Sequence, residues 1–592
     1  MHDILKMQTK VLNTITMKKS TLKNIALTSI VSTGLLLGSC DLIKDLNYKV
    51  KENPLEMHGD EVDLQINATF VEKGLNAKAI VEVTPTFICK DGTEIPFEMA
   101  VYQGAKAAGN GTVIPKEGKT VVYNSTLPYN PCMQEGELVV KLLVKKGKKE
   151  TVKEEFTTEK IADGTIITPY LLEFDDKVIL ANDKFVRTTE ESINAVINYK
   201  KGKFNLNGAE LKDQDIKDFE IFATDAAINI RREMKSVNVM SYASPEGEID
   251  KNANLAGDRA SSASAYVSKL MKKLNFAAGM EEGFISKTPK GEDWDGFNAE
   301  VQKTTHEDKD LILRVLEMTQ DPNKREQDIR NMAKTYKFLE KDVLPQLRRS
   351  VITLTYDQIG WSDEELTALT TTNPDTLNVE EVLFAATLTE DLNEKLRIYK
   401  IAEKNFVEDY RGVNNVGYVL YLQSDLDAAG AQFEKANGIE SNAISTNNIG
   451  AVTHVKGGND KAAREKALEL FTEAGTANET KYNMGLLKIQ AAEYAEALAN
   501  MDGYKTLNVA IAKIVSSDAA GALEVIDAAD NNDSALAYYL KAIVGARTNN
   551  SDLVFSNLKT AIEKDAAFKT KASKDREFVK YFLNPDFKAM VD

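Results

Sequence analysis

Hydrophobic and polar residues alternate with a period of two along Val62–Phe70, Ala79–Cys89, Lys119–Leu127, Glu137–Val144 and Thr151–Thr158, with Gly, Pro, Asn and Asp between the runs. A strand points successive side chains to opposite faces, so this alternation buries one face, and residues 47–170 are predicted to form a β-sandwich-like domain. Beyond residue 180 the period changes from run to run. Ile193–Phe204 reads as a strand, and Leu211–Met234 as an amphipathic helix with Ile216, Phe219, Ile221, Phe222, Ala226 and Ile230 on its apolar face. Val237–Tyr242 reads as another strand; Leu255, Ala260, Ala263, Val267 and Leu270 then recur at helical spacing, with Asn252 available as a cap. Phe284–Lys287 and Val351–Tyr356 add strands, which gives an α/β domain over 180–357. A charged helical insert at about 291–344 carries Leu311, Ile312, Val315 and Leu316 as its apolar stripe. Residues 376–592 read as helical throughout, so the fold class is multidomain α+β.

The helical part repeats. Asn stands two residues before a small residue at Asn415/Gly417, Asn448/Gly450, Asn483/Gly485 and Asn508/Ala510, in steps of 33, 35 and 25. Ala429, Phe433 and Ala436 follow the first pair, and Ala467, Phe471 and Ala474 follow the second after a five-residue insertion. Ala497 opens a shortened third unit, and Ala522, Ile526 and Ala529 follow the fourth pair. A period of about 34 with this pattern resembles the tetratricopeptide repeat, whose stacked helical hairpins bury a continuous core. The resemblance implies a concave groove lined by Asn414, Tyr418, Tyr421, Asn447, His454 and Tyr482. There Asn and Tyr would hold the backbone of an extended peptide while the rings supply buried area; otherwise the asparagines are surface residues facing water. Phe578, Tyr581, Phe582 and Phe587 suggest a helix capping the last hairpin.

The stretch Val237–Ala260 joins strand, polar turn and helix. Ser241-Tyr242-Ala243-Ser244, Gly247, Asn252, Leu255, Arg259 and Ala260 keep the spacing of the OmpA-like domain, which this stretch resembles. That resemblance implies a sheet backed by helices and a site for the diaminopimelate residue of peptidoglycan, with Arg259 gripping a carboxylate through its fork of donors. Ser244 stands where the family carries the Asp that pairs with the ligand's ammonium group, so Glu246 or Asp250 would have to substitute. The other reading is a structural domain whose Arg259 makes an internal salt bridge. Leu347-Arg348-Arg349-Ser350-Val351 resembles the family's paired-Arg motif with an extra Ser350.

The N-terminus changes the picture from fold to address. Met17-Lys18-Lys19, the apolar run Ile25–Leu37 and Leu37-Gly38-Ser39-Cys40 resemble a bacterial lipoprotein signal, with residues 1–39 removed, the start at Met17, and Cys40 lipidated. The run is too short to span a bilayer of about 30 Å. Without the signal region the net charge goes from -16 to -20, which argues against nucleic acid as a partner. Cys89 and Cys132 lie 43 positions apart, and an exported chain oxidises such a pair or keeps two buried thiols. The four histidines have no metal-ligand spacing, and no hydrolase, metalloprotease or phosphate-loop motif is present. These readings describe a non-enzymatic outer-membrane lipoprotein without cofactor or metal. It would act as an adaptor or scaffold in a cell-envelope complex for outer-membrane protein assembly or secretion, with envelope proteins such as an outer-membrane barrel as partners. The alternative is a peptidoglycan-binding anchor linking outer membrane to wall, and the periplasmic or surface face stays undecided.

Overall fold

The structure, a computed structural model, describes residues 33–35, 42, 43, 46–146, 151–319, 321–331 and 333–592. The lipobox and Cys40 lie outside the described residues, and of the signal region only the short strand Thr33–Leu35 falls within them. The chain forms two compact units, one made of residues up to Ala181 together with Phe406–Asp592, the other of Asn182–Asn405.

In the first unit the N-terminal strands build two facing sheets. One runs in the order Thr33–Leu35, Leu46–Val50, Glu61–Phe70, Leu55–His58 and Thr165–Ile166, with Lys119–Pro128 also paired to Glu61–Phe70. The other runs Thr151–Thr157, Glu137–Lys146, Ala79–Ile88, Ala100–Gly104 and Thr112–Ile114. Alternate residues Val62, Leu64 and Ile66 of the first meet Phe87 and Leu138 of the second in one core. Cys89, just past its strand, is joined to Cys132 in a disulfide with a Cα–Cα distance of 5.5 Å.

The same unit continues at the other end of the chain as a helical array. Among the described residues five hairpins follow one another: Tyr410–Leu422 with Leu426–Ile439, Ala443–Gly457 with Lys461–Ala474, Asn478–Gln490 with Tyr494–Asn500, Leu507–Val515 with Ala519–Ala528, and Ala535–Arg547 with Ser551–Lys564. Ala429, Phe433 and Ala436 are fully buried, as are Ala467 and Phe471, so the small and aromatic positions of the repeat are its packing positions. A Cβ on Gly417 would lie 2.8 Å from the Phe433 ring, and one on Gly450 2.7 Å from the Phe471 ring. In these two hairpins the glycine is therefore what lets the helices close around the aromatic residue. Phe578, Tyr581 and Phe587 pack onto the final hairpins.

The β-domain and the array, which the sequence presents as separate domains, are one compact body. Ion pairs between Arg464 and Asp60, between Arg547 and Glu56 at 3.3 Å, and between Lys574 and Glu135 at 3.4 Å tie them. Thr168 donates to Glu577 across the same junction.

The second unit holds a four-stranded sheet in the order Thr188–Asn198, Arg349–Ile359, Arg232–Ala243 and Ile285–Glu292, with the last pair parallel and the others antiparallel. Helices Gln214–Ala226 and Ile249–Lys273 bury Phe219, Ala223, Ala263 and Val267 against Val237, Val239, Ile352 and Leu354. Several details differ from the sequence reading, and the strand read over Ile193–Phe204 runs over Thr188–Asn198 instead. The first helix ends at Ala226, because Asn229 accepts the Arg231 N–H in a tight turn and the strand starts at Arg232; Ile230 therefore lies in the turn, 87% exposed, while Ile221, inside the helix, is on its solvent side and 67% exposed. Asn252 lies inside the long helix, whose N-cap is Glu248. The insert packs its own core from Phe297, Val301, Ile312, Leu316 and Leu347, while Leu311 stays exposed. Helices Asp363–Thr372, Val379–Ala385 and Leu392–Asn405 also belong to this unit rather than to the array.

Candidate functional site

The concave side of the array encloses an extended segment of the chain itself. Between its last β-strand and residue 182 the chain runs as a strap, residues 173–181, along the first helices of four successive hairpins. One asparagine from each helix grips one strap residue by both backbone groups. Asn508 accepts the Glu173 N–H and donates to its carbonyl, both at 2.8 Å. Asn483 does the same for Lys177 at 2.6 and 2.9 Å, Asn448 for Ile179 at 2.6 and 2.8 Å, and Asn415 for Ala181 at 2.9 Å twice. A primary amide carries its acceptor and its donors side by side, so it offers an extended residue the pairing a neighbouring strand would give. These four side chains are at most 1% exposed, and each bond exchanges water for protein at a net gain of about 0.5–1.5 kcal/mol.

The groove residues implied by the repeat pattern take supporting places around this ladder. Asn447 donates to the Lys177 carbonyl at 3.0 Å and Asn414 to that of Ile179 at 3.2 Å. Their side-chain oxygens accept from the ladder amides Asn483 and Asn448. Tyr482 donates to the Asp175 carboxylate at 2.7 Å and Tyr421 to the Asp176 carbonyl at 2.9 Å. Tyr418 packs, half-buried, beside Ala429, Phe433 and Val452. The ladder residues Asn415, Asn448, Asn483 and Asn508 were not among the implied lining, although the Asn-x-Gly recurrence that revealed the repeat consists of them. The fully buried asparagines do not face water.

The strap side chain Asp176 is held by a buried histidine. Asp176, 3% exposed, meets Nδ1 of the buried His454 with both carboxylate oxygens at 2.9 Å. Nε2 of His454 lies 2.8 Å from Oε1 of Gln490, whose amide nitrogen is committed to the Gly458 carbonyl and to Asn459. Gln490 thus turns its side-chain oxygen toward Nε2. Burial pushes the Asp176 carboxyl up, and the His454 hydrogen bond opposes the shift. Phe174 packs edge-on to the imidazole at 5.3 Å, and Val178 lies against the Phe433 and Phe471 clusters. Phe174, Asp176 and Val178 thus point into the array, as the period of an extended chain requires.

The second predicted site lies in the α/β unit, and most of its residues meet there. Ser244 donates to Glu246 at 2.6 Å, and Arg348 pairs with Glu246 at 2.8 Å. Lys201 pairs with the other Glu246 oxygen at 3.1 Å, so this carboxylate is already neutralised within the protein. Asn252 donates to Glu292 at 2.8 Å. Arg259 is fully buried: Nε donates to the Lys203 carbonyl at 3.0 Å, Nη1 to the Tyr242 carbonyl at 2.7 Å, and the guanidinium lies 5.0 Å from the Tyr199 ring centroid. Backbone carbonyls, rather than the carboxylate of a salt bridge, hold it, and burial brings its pKa down to about 10. Its Nη2 has no hydrogen-bond partner among the described residues. Among the described residues no cluster of His, Cys, Asp and Glu is fit to hold a metal ion, and no helix is long and apolar enough to cross a membrane.

Fold and groove define a mixed α/β protein, sheet-rich at its N-terminus, whose C-terminal helical array binds an extended segment. No family model and no curated protein matches the chain by sequence. Among solved structures it is similar to the crystal structure of the APC/C hetero-tetramer Cut9-Hcn1, at 12% identity and a TM-score of 0.29, over 58% of this chain and 76% of that one.

Proposed function

We propose that the protein is a non-enzymatic, lipid-anchored adaptor of the bacterial outer membrane that scaffolds a multi-protein envelope complex. The observation that carries the scaffold part is the asparagine ladder. By closing on residues 173–181 it welds the β-domain and the array into one body, which holds docking surfaces at fixed spacing rather than on flexible joints. The lipobox-like Leu37-Gly38-Ser39-Cys40 supports the anchor, and the lack of a catalytic motif in the sequence supports a non-enzymatic role. The test is protease accessibility on intact against lysed cells, with crosslinking and mass spectrometry of co-purifying proteins. Membrane-associated protein crosslinked to an outer-membrane barrel is the expected result; a protein that fractionates away from membranes without envelope partners overturns the reading.

The wall-anchor reading rests on one feature, the partnerless Nη2 of Arg259. The complete burial of that side chain and the Glu246–Arg348 pair weigh against a ligand reaching it. Recovery on peptidoglycan sacculi is therefore expected to be as low for wild type as for Arg259→Ala. Strong wild-type recovery lost in a folded Arg259→Ala variant would establish the anchor instead.

A further inference from the structure

The strap contacts in the groove are local to nine consecutive residues and are of two kinds, backbone and side chain, with the Asp175 carboxylate also held by Tyr482 and Asn508. At Glu173, Lys177, Ile179 and Ala181 the array reads backbone, which any extended chain presents. At Phe174, Asp176 and Val178 it reads side chains: a ring against the imidazole, a carboxylate on His454, and an aliphatic group between two core clusters. A buried carboxyl–imidazole pair is a costly way to fasten a permanent strap, because well-packed apolar side chains of similar volume would hold it at least as well. What such a pair supplies is discrimination, since a segment lacking the acid leaves Nδ1 of His454 buried without its partner.

Resting on the adaptor reading, we propose that the groove is a receptor for an extended Phe-x-Asp-x-Val segment supplied in trans by a partner protein, with the chain's own strap as its intramolecular competitor. Chain connection gives the strap no contact that a free segment would lack. It contributes effective concentration, in the range of about 1 mM for short tethers, which a partner segment must exceed by affinity or by local abundance. His454 is the residue that sets specificity, and the ladder asparagines supply affinity that does not depend on sequence.

The test uses the full-length protein carrying Phe174→Ser, Asp176→Ala and Val178→Ser, which weaken the strap and leave every groove residue intact. The probe is a fluorescein-labelled peptide of residues 171–182, followed by anisotropy. The variant is expected to bind it at least about tenfold more tightly than wild type, whose groove is occupied. The same peptide with its Asp176 replaced by Ala, or the variant with His454→Ala added, is expected to lose about tenfold or more. A folded variant that binds no better than wild type, or that does not distinguish the two peptides, overturns the proposal. If the variant does not fold alone, recovery of its circular dichroism and a cooperative melt on adding peptide supports the proposal, and failure to recover at saturating peptide overturns it. Crosslinking to envelope partners without peptide binding would leave the adaptor reading standing and remove this one; peptide binding by a protein found away from membranes would do the reverse.

Discussion

Two buried acid networks show how single residues load this fold. Asp176 is tolerated in the groove because His454 meets both of its oxygens. Asp575 is tolerated at the cap because it accepts from Tyr539 at 2.7 Å and from the Glu577 N–H at 3.0 Å. Burial, and then the charge of Glu577, nevertheless push the Asp575 carboxyl up to about 6, above the value of about 3.9 for an unfolded Asp. Between those values the native chain holds more protons than the unfolded chain. Stability from this group therefore falls as pH rises from about 4 to about 6 and is level above. Measured against Asp575→Asn, which removes the titration, wild type is expected to lose stability across that window and to run parallel to the variant above about pH 7 in urea melts. A difference constant from about pH 4 to 8 would contradict this assignment.

At the scale of elements, the Asn-x-Gly unit does two jobs on two faces of one helix. Its Gly admits the aromatic ring of the second helix, and its Asn, two residues earlier, faces the groove and holds the strap. The repeat is thus a packing unit and a binding unit at once, so one substitution tests one job. Asn448→Ala removes both bonds to Ile179 and leaves a backbone N–H and carbonyl buried without that partner. A loss of about 2–3 kcal/mol in global stability is expected from denaturant titration, with helical content unchanged in native buffer. A loss below about 0.5 kcal/mol would mean that the ladder carries no weight.

At the scale of the molecule, a strap that starts in the β-domain and ends in the groove couples parts of the chain more than two hundred residues apart, as with Ala181 and Asn415. The β-domain and the array are therefore expected to open together. In native-state hydrogen exchange, Ala79–Ile88 of the sheet and Leu507–Val515 of the array should show the same opening free energy and the same denaturant dependence. Two distinct values, with the array closed while the sheet exchanges, would show them to be independent domains.

Periodicity written into the chain was enough for the elements themselves. Alternation in Val62–Phe70, helical spacing in Leu255–Leu270 and recurrence of Asn-x-Gly each report a local period that burial imposes on neighbouring residues. The resemblance to the tetratricopeptide repeat implied amides and phenols on a concave side, with water-facing asparagines as the other reading. What it left open was what fills that side. The occupant, residues 173–181, has no repeat and no motif, and its contacts in the array lie 234 to 358 positions away. For the same reason Arg259 looked ready to grip a ligand, and the structure turned it onto the Lys203 and Tyr242 carbonyls. Local sequence reports which groups a segment must bury or pair; which distant groups satisfy them is decided only when the chain closes, because partners in space need share no period along the chain.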